Sequence, residues 1–242
     1  MSRRGAALLG GLLLLWFLPR AAGAQDLLAR GLTAQQTGKH DQAVELFRQY
    51  LAQEPDSAVG RRYLAASLAA LGKKEAALSE LEQGLKKHPK DTALLLAKGK
   101  LLAELERRRE ALATFDFILG VDSEHSEALK ERGDNLAQEG RYEEALADYN
   151  RAAALTPEDP WTFHKRGMVH FCLGHYQQAV EDFSTAIRLR SDIPLFYFAR
   201  GQIYLRHLHD RDKGIADFQQ GCKLGHSLCC LELESLGVKS DK

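Results

Sequence analysis

Residues 140–157 read GRYEEALADYNRAAALTP, residues 72–89 read GKKEAALSELEQGLKKHP, and residues 174–189 read GHYQQAVEDFSTAIRL. Each opens on a glycine, runs through a helix-compatible stretch and ends at a proline or, in the third, just ahead of Ser191 at the same phase. Outward from these segments the chain keeps a beat of 34 residues. Ala43, Ala77, Ala111, Ala145 and Ala179 share one phase, and Gly31, Ala65, Gly99, Gly133, Gly167 and Gly201 share another. Small residues at two fixed phases of a 34-residue period specify a stacked array of helical hairpins.

One unit shows how the residues make a hairpin. A first helical stretch runs from Leu27 to Gln36. In DQAVELFRQYL, Ala43, Val44, Phe47 and Leu51 follow the 3.6-residue spacing of an amphipathic helix. Thr37-Gly38-Lys39 separates the two, with Gly38 suited to the left-handed conformation that ends a helix. Pro55 stops the second helix. The third unit is the most divergent at its punctuation, with Glu106 in place of glycine and Ser123 in place of proline. The two small phases are expected where paired helices cross most closely, since larger side chains there would cost roughly 1–3 kcal/mol of overpacking strain. Phe47, Leu81, Phe115, Tyr149 and Phe183, each four residues after its alanine, are expected to fill the core between hairpins.

The N-terminal residues read as an export leader. Arg3 and Arg4 precede an apolar run from Ala6 to Leu18, and Ala22-Gly23-Ala24 is a small-x-small cleavage pattern. Residues 1–24 are therefore expected to be a signal peptide cleaved after Ala24, by the general secretory route. The run is short for a bilayer span, which needs ~20 residues. Cleavage would remove Arg3, Arg4 and Arg20 from a chain with 33 basic and 33 acidic residues, leaving a charge near −3. That balance offers no basic footprint for nucleic acid and no polybasic stretch for a membrane surface. The export signal is the one expected link to a membrane, and the location is periplasmic, secreted or the secretory-pathway lumen.

The recurring phases resemble the tetratricopeptide repeat family. The units divide as 25–57, 58–91, 92–125, 126–159, 160–193 and a divergent 194–225, followed by a capping helix and tail at 226–242. The resemblance implies an all-α, right-handed superhelical solenoid of about six hairpins, whose first helices line a concave groove for peptides or extended protein segments. In the sixth unit Gly214 stands where alanine is expected, one residue late, after a lengthened polar connection at residues 207–212. The following GCKLGHSLCCLELESLG (221–237) is similar to the cysteine-containing Sel-like relatives of the fold. That similarity implies a bridge from Cys222 to Cys230, pinning a last helix at about Ser227–Ser235. Cys229 is a rival partner for Cys222, and free thiols are the alternative to any bridge. Cys172, on a first helix, is expected to be unpaired and half-buried.

In hairpins of this family, first-helix positions two, five, nine and twelve face the groove. The candidate protein-binding residues are Arg62, Lys100, Lys130, Asp134, Trp161, His164, Phe171, Phe198 and Gln202. Residues 159–242 hold ten aromatic Phe, Tyr and Trp side chains against seven in the longer stretch 25–158. Trp161, Phe171 and Phe198 are the candidate apolar strip, edged by His164 and Lys165, while Phe163, Phe183 and Phe218 are expected in the core. Leu28 and Leu32 stand where some family members carry the lysine and asparagine that clamp a partner's terminal carboxylates, so that clamp is not expected.

Catalytic signals are missing from the sequence. There is no HExxH, no paired CxxC and no phosphate-cradling glycine loop. His164 and His170 are six residues apart and point to different faces of one helix. No catalytic residue, cofactor or metal is therefore expected. The reading is an exported, non-catalytic scaffold or adaptor that holds a protein or peptide segment. The alternative is a carbohydrate-polymer binder or a component of an envelope polysaccharide or protein export assembly.

Overall fold

The computed structural model describes residues 18–239. Arg3, Arg4 and the leader's apolar run as far as Phe17 lie outside them. The described residues form thirteen α-helices. They are α1 (Leu18–Gln36), α2 (His40–Gln53), α3 (Ala58–Ala70), α4 (Lys74–Lys87), α5 (Thr92–Glu104), α6 (Arg108–Val121), α7 (Ser126–Gln138), α8 (Tyr142–Leu155), α9 (Pro160–Cys172), α10 (Tyr176–Leu189), α11 (Pro194–Arg206), α12 (Arg211–Lys223) and α13 (Ser227–Ser235). Cleavage after Ala24 would cut within α1 and leave Gln25–Gln36 as its remainder. No helix among the described residues is long and apolar enough to cross a membrane. The chain divides into two compact units, residues 1–114 and 115–242. In the first, α1 pairs with α2 and α3 with α4, and α4 packs on α5; in the second, α7 pairs with α8, α9 with α10 and α11 with α12, and α13 packs on α12.

Helix ends follow two rules set by the sequence. The first helices α3, α5 and α9 start on side-chain caps, Ser57 accepting from the Gly60 amide at 3.1 Å, Asp91 from Leu94 at 2.9 Å and Asp159 from Trp161 at 3.1 Å, whereas α11 starts at Pro194 without one. Second helices start from a tight turn with one left-handed residue: Gly38, Gly72, Gly140 and Gly174, at φ 73–77°. Glu106 holds the corresponding place at φ 58°. A non-glycine residue there costs roughly 1–2 kcal/mol, against the roughly 0.5–1 kcal/mol of extra unfolded-state freedom that glycine brings. Glu106→Gly should therefore raise stability by about 0.5–1 kcal/mol, read as a higher urea midpoint with an unchanged slope.

The two small phases do approach closely. A Cβ on Gly214 would lie 3.2 Å from the Gly201 carbonyl oxygen. The sequence reading missed what covers the glycines. Gly31 faces the ring of Phe47, Gly133 that of Tyr149, Gly167 that of Phe183 and Gly201 that of Phe218. The aromatic one turn after the alanine thus lies across the first helix of its own hairpin, and the glycine is the slot that admits it. Phe47 also reaches the next hairpin, stacking on Tyr63 with centroids 5.7 Å apart. Phe183 and Phe218 are fully buried. Phe163 is not: it is half-buried, with the Arg166 guanidinium 5.3 Å above its ring.

A ladder of buried ion pairs runs through the second unit. Arg132, Arg166 and Arg200, each just before a small-phase glycine, form two-pronged pairs with Asp148, Asp182 and Asp217, each just before a buried aromatic. The N–O distances lie between 2.6 and 2.9 Å. The same arginines reach back to the preceding second helix, to Asp116, Asn150 and Ser184 respectively. Each guanidinium therefore fastens its own hairpin and joins it to its neighbour.

At the sixth hairpin the extra residue is absorbed in the connection. His209 takes the left-handed conformation at φ 54°, and α12 starts one residue late, with Arg211 and Asp212 already inside it. Cys222 and Cys230 are joined, with a Cα separation of 4.9 Å inside the disulfide range. Cys229, the rival partner, is fully buried beside Phe218 and Leu233, and burial pushes its thiol up to about 12. Cys172 is exposed, not half-buried.

Candidate functional site

The groove phases line a hollow in each unit. In the first, Arg62, Ala66 and Ala69 of α3 and Ala93, Leu96 and Lys100 of α5 surround a space of about 550 Å³. Ala65, Ala70 and Ala97 add to its alanine-rich lining. Arg62 also lies 4.6 Å from the Tyr63 ring centroid, in cation–π geometry. In the second unit, His164, Met168 and Phe171 of α9 face Leu195, Phe198 and Gln202 of α11 around about 370 Å³. Phe183 of α10 forms part of the floor.

Four of the candidate residues, His164, Phe171, Phe198 and Gln202, thus share one hollow, and Arg62 and Lys100 share the other. Trp161 does not line the hollow of His164; it packs edge-on against Phe196 at 5.1 Å and His164 at 5.8 Å. Lys130 and Asp134 line neither hollow. Lys130 binds Asp159 at 3.0 Å and Glu127 at 2.9 Å, and Asp134 accepts hydrogen bonds from Tyr149 and Lys165. Both side chains are engaged in packing between neighbouring hairpins. Arg206 and His207 were missed because they lie beyond position twelve, where the repeat supplies no phase. Both reach the mouth of the second hollow. The connection after α11 is less solvated than expected, since the His207 ring stacks on Tyr176 at 4.1 Å and meets Phe171 at 5.3 Å.

His164 is held by rings on several sides, 5.4 Å from Phe183 and 5.2 Å from Phe196. Its Nδ1 is buried without a hydrogen-bond partner. Burial, helped by the charge of Lys165, lowers its pKa from 6.5 to about 4. Between those values the unfolded chain binds a proton that the folded chain refuses. Stability is full above pH 6.5 and falls as the pH drops toward 4, by roughly 3 kcal/mol from this group. His170, shifted down chiefly by burial, acts in the same direction. Urea unfolding at pH 7, 5.5 and 4.5 should show the loss, and His164→Leu should flatten it; an unaltered pH slope in the variant would refute the assignment.

Among the described residues no group of three or more His, Cys, Asp or Glu side chains is placed to hold a metal ion. The site consists of apolar walls with a few hydrogen-bond donors, an arrangement suited to holding a chain segment.

Comparison with known proteins agrees with the architecture. Tetratricopeptide repeat models match residues 34–101 and 164–220, and a TPR repeat model matches residues 133–174. The chain belongs to the tetratricopeptide repeat proteins. It has no significant match among curated protein sequences. Among solved structures, it is similar to that of pilF from Pseudomonas aeruginosa, with a TM-score of 0.76 and 18% identity over 90% of this chain and 99% of that one. It is similar to YrrB, described as a TPR protein with an unusual peptide-binding site, with a TM-score of 0.63 and 18% identity over 79% and 99% of the two chains. A tetratricopeptide repeat protein from Parabacteroides merdae gives a TM-score of 0.65 and 22% identity over 88% and 83%. At these identities the likeness concerns the fold.

Proposed function

We propose that the protein is an exported, non-catalytic scaffold that holds a peptide or protein segment against the first helices of its hairpins. Tetratricopeptide repeats serve in general as protein-interaction scaffolds, and one solved structure of similar fold is described as having a peptide-binding site. The observation that carries the reading is the hollow between α9 and α11. Six groove-phase side chains converge there, and large apolar groups stay open to solvent instead of closing into the core. Export is supported by the leader-like N-terminus and by the Cys222–Cys230 pair, which would persist in an oxidising compartment.

A photo-crosslinking residue placed at Met168 in the native cell tests the reading. A discrete polypeptide adduct, lost when Phe198 is replaced by Ala, is the expected result. Absence of any polypeptide adduct, together with polysaccharide binding that Trp161→Ala removes, would favour the carbohydrate alternative. Mass spectrometry of the N-terminal peptide of the purified native protein tests the leader: a peptide starting at Gln25, free or cyclised to pyroglutamate, is expected, and one starting at Met1 or Ser2 would overturn the cleavage.

A further inference from the structure

The helix after the sixth hairpin falls into register with the groove helices. On the first helices Leu94, Ala128, Thr162 and Phe196 occupy one phase, and all are fully buried. Leu94 fits against Gly84 of α4. Gly84 recurs, four repeats and one inserted residue later, as Gly221 of α12, and the side chain fitted against Gly221 is that of Cys229. Cys229 therefore stands at the phase of Phe196. Counting from it, Leu228 takes groove position two, after Trp161 and Leu195, and Leu231 takes position five, after His164 and Phe198.

Exposure agrees with that register. Trp161, Leu195 and Leu228 are 43%, 37% and 50% exposed, and Met168 and Leu231 are 42% and 57% exposed. These five account for most of the large apolar side chains that the described residues leave open, and all five sit at groove phases. On α13 the groove phases thus carry two exposed leucines. Contacts tie α13 to the same wall. Glu232 accepts from Gln202 and from Arg206, each at 2.7 Å, and His226 stacks on Phe198 at 5.0 Å.

We infer that α13 is a third wall of the binding surface, continuing the strip of α9 and α11, and that its occupant is a peptide segment carrying a large apolar side chain beside an acidic one. This rests on the scaffold reading above. The charge on the wall selects the acid. Arg206 is the charged group lining the hollow, beside the donor Gln202 and the imidazoles of His164 and His207. The nearby acids Asp134 and Glu232 are already engaged by Lys165 and by Arg206 and Gln202. A base on the ligand therefore meets occupied acids. Arg206 is itself paired, but Glu232 takes one prong of it only, and the arginine side chain, 58% exposed, keeps further N–H donors that a ligand carboxylate can share. Leucine and methionine surfaces poor in acceptors suit peptide side chains better than sugar rings.

The test is a random dodecapeptide library displayed on phage and panned on the oxidised full chain, followed by fluorescence anisotropy with the enriched peptide. Enriched sequences should place Leu, Phe or Trp next to Asp or Glu. The exposed-site variant L228S/L231S should weaken binding at least tenfold with unchanged circular dichroism. C222S/C230S, which frees α13, should do the same, and Phe117→Ser, exposed elsewhere, should do nothing. Arg206→Gln should weaken the acidic peptide several-fold and leave its Asn counterpart unaffected. Peptides that bind the parent and L228S/L231S equally would overturn the role of α13 while leaving the scaffold reading intact. Enrichment of basic peptides, or a dimer that L228S/L231S abolishes and that competes with peptide, would overturn the stated occupant. Enrichment of no peptide would overturn this inference and the scaffold reading together.

Discussion

Asp182→Ala should lower the stability of the second unit by about 3–5 kcal/mol, the usual cost of breaking a buried ion pair from one side. Asp182 is almost fully buried and takes both prongs of Arg166, and the His170 Nε2 lies 3.9 Å away. Its removal leaves a guanidinium that is also bound to Asn150 but has lost its counter-charge. The exposed pair of Arg190 and Asp192 supplies the contrast: similar distances, free access to water, and no measurable change expected for Asp192→Ala. Urea unfolding of both variants beside the parent decides the matter. Equal effects would mean that the ladder contributes nothing beyond surface charge.

Phe183→Ala should be comparably damaging, at about 3–5 kcal/mol. The ring is fully buried, lies across Gly167 and supports His164 from below. Its loss would empty a slot that the rigid helix backbone of α9 cannot close, and would deepen the hollow above it. Phe117→Ala removes the same ring from an exposed position and should stay within 0.5 kcal/mol. Because Phe183 adjoins Asp182 and both brace α9, the double variant should lose less than the sum of the two. Full additivity would show that the slot and the ladder act independently.

The hairpin order was legible because its signals are local: a glycine suited to a left-handed backbone, small residues at two fixed phases, a proline after the helix. The final helix, Ser227–Ser235, was placed through the likeness to Sel-like hairpins. The groove positions of the family, carried along the same period, named His164, Phe171, Phe198 and Gln202, and these four line one hollow. Where a position's fate depended on a neighbour between half a repeat and a whole repeat away, the sequence was silent. Lys130 and Asp134 look like groove charges until Asp159, Tyr149 and Lys165 are seen to hold them. Arg166 and Asp182 look like ordinary surface residues, although Arg-Gly and Asp-aromatic pairs repeating at the same period are a signal that could have been read. His207 escaped because the repeat is interrupted where it stands.

The ladder and the glycine slots join residues 16 or 17 positions apart. Closing a loop of that length is quick, on the order of a microsecond or less, and no later contact of these two kinds demands a longer search. Within each unit the chain should therefore fold as fast as its hairpins can meet, with little penalty for added length. A chain crossing a membrane unfolded could regain structure one hairpin at a time as it emerges, with no need to wait for its C-terminal residues. Only α13, with its bridge to α12, would then depend on an oxidant.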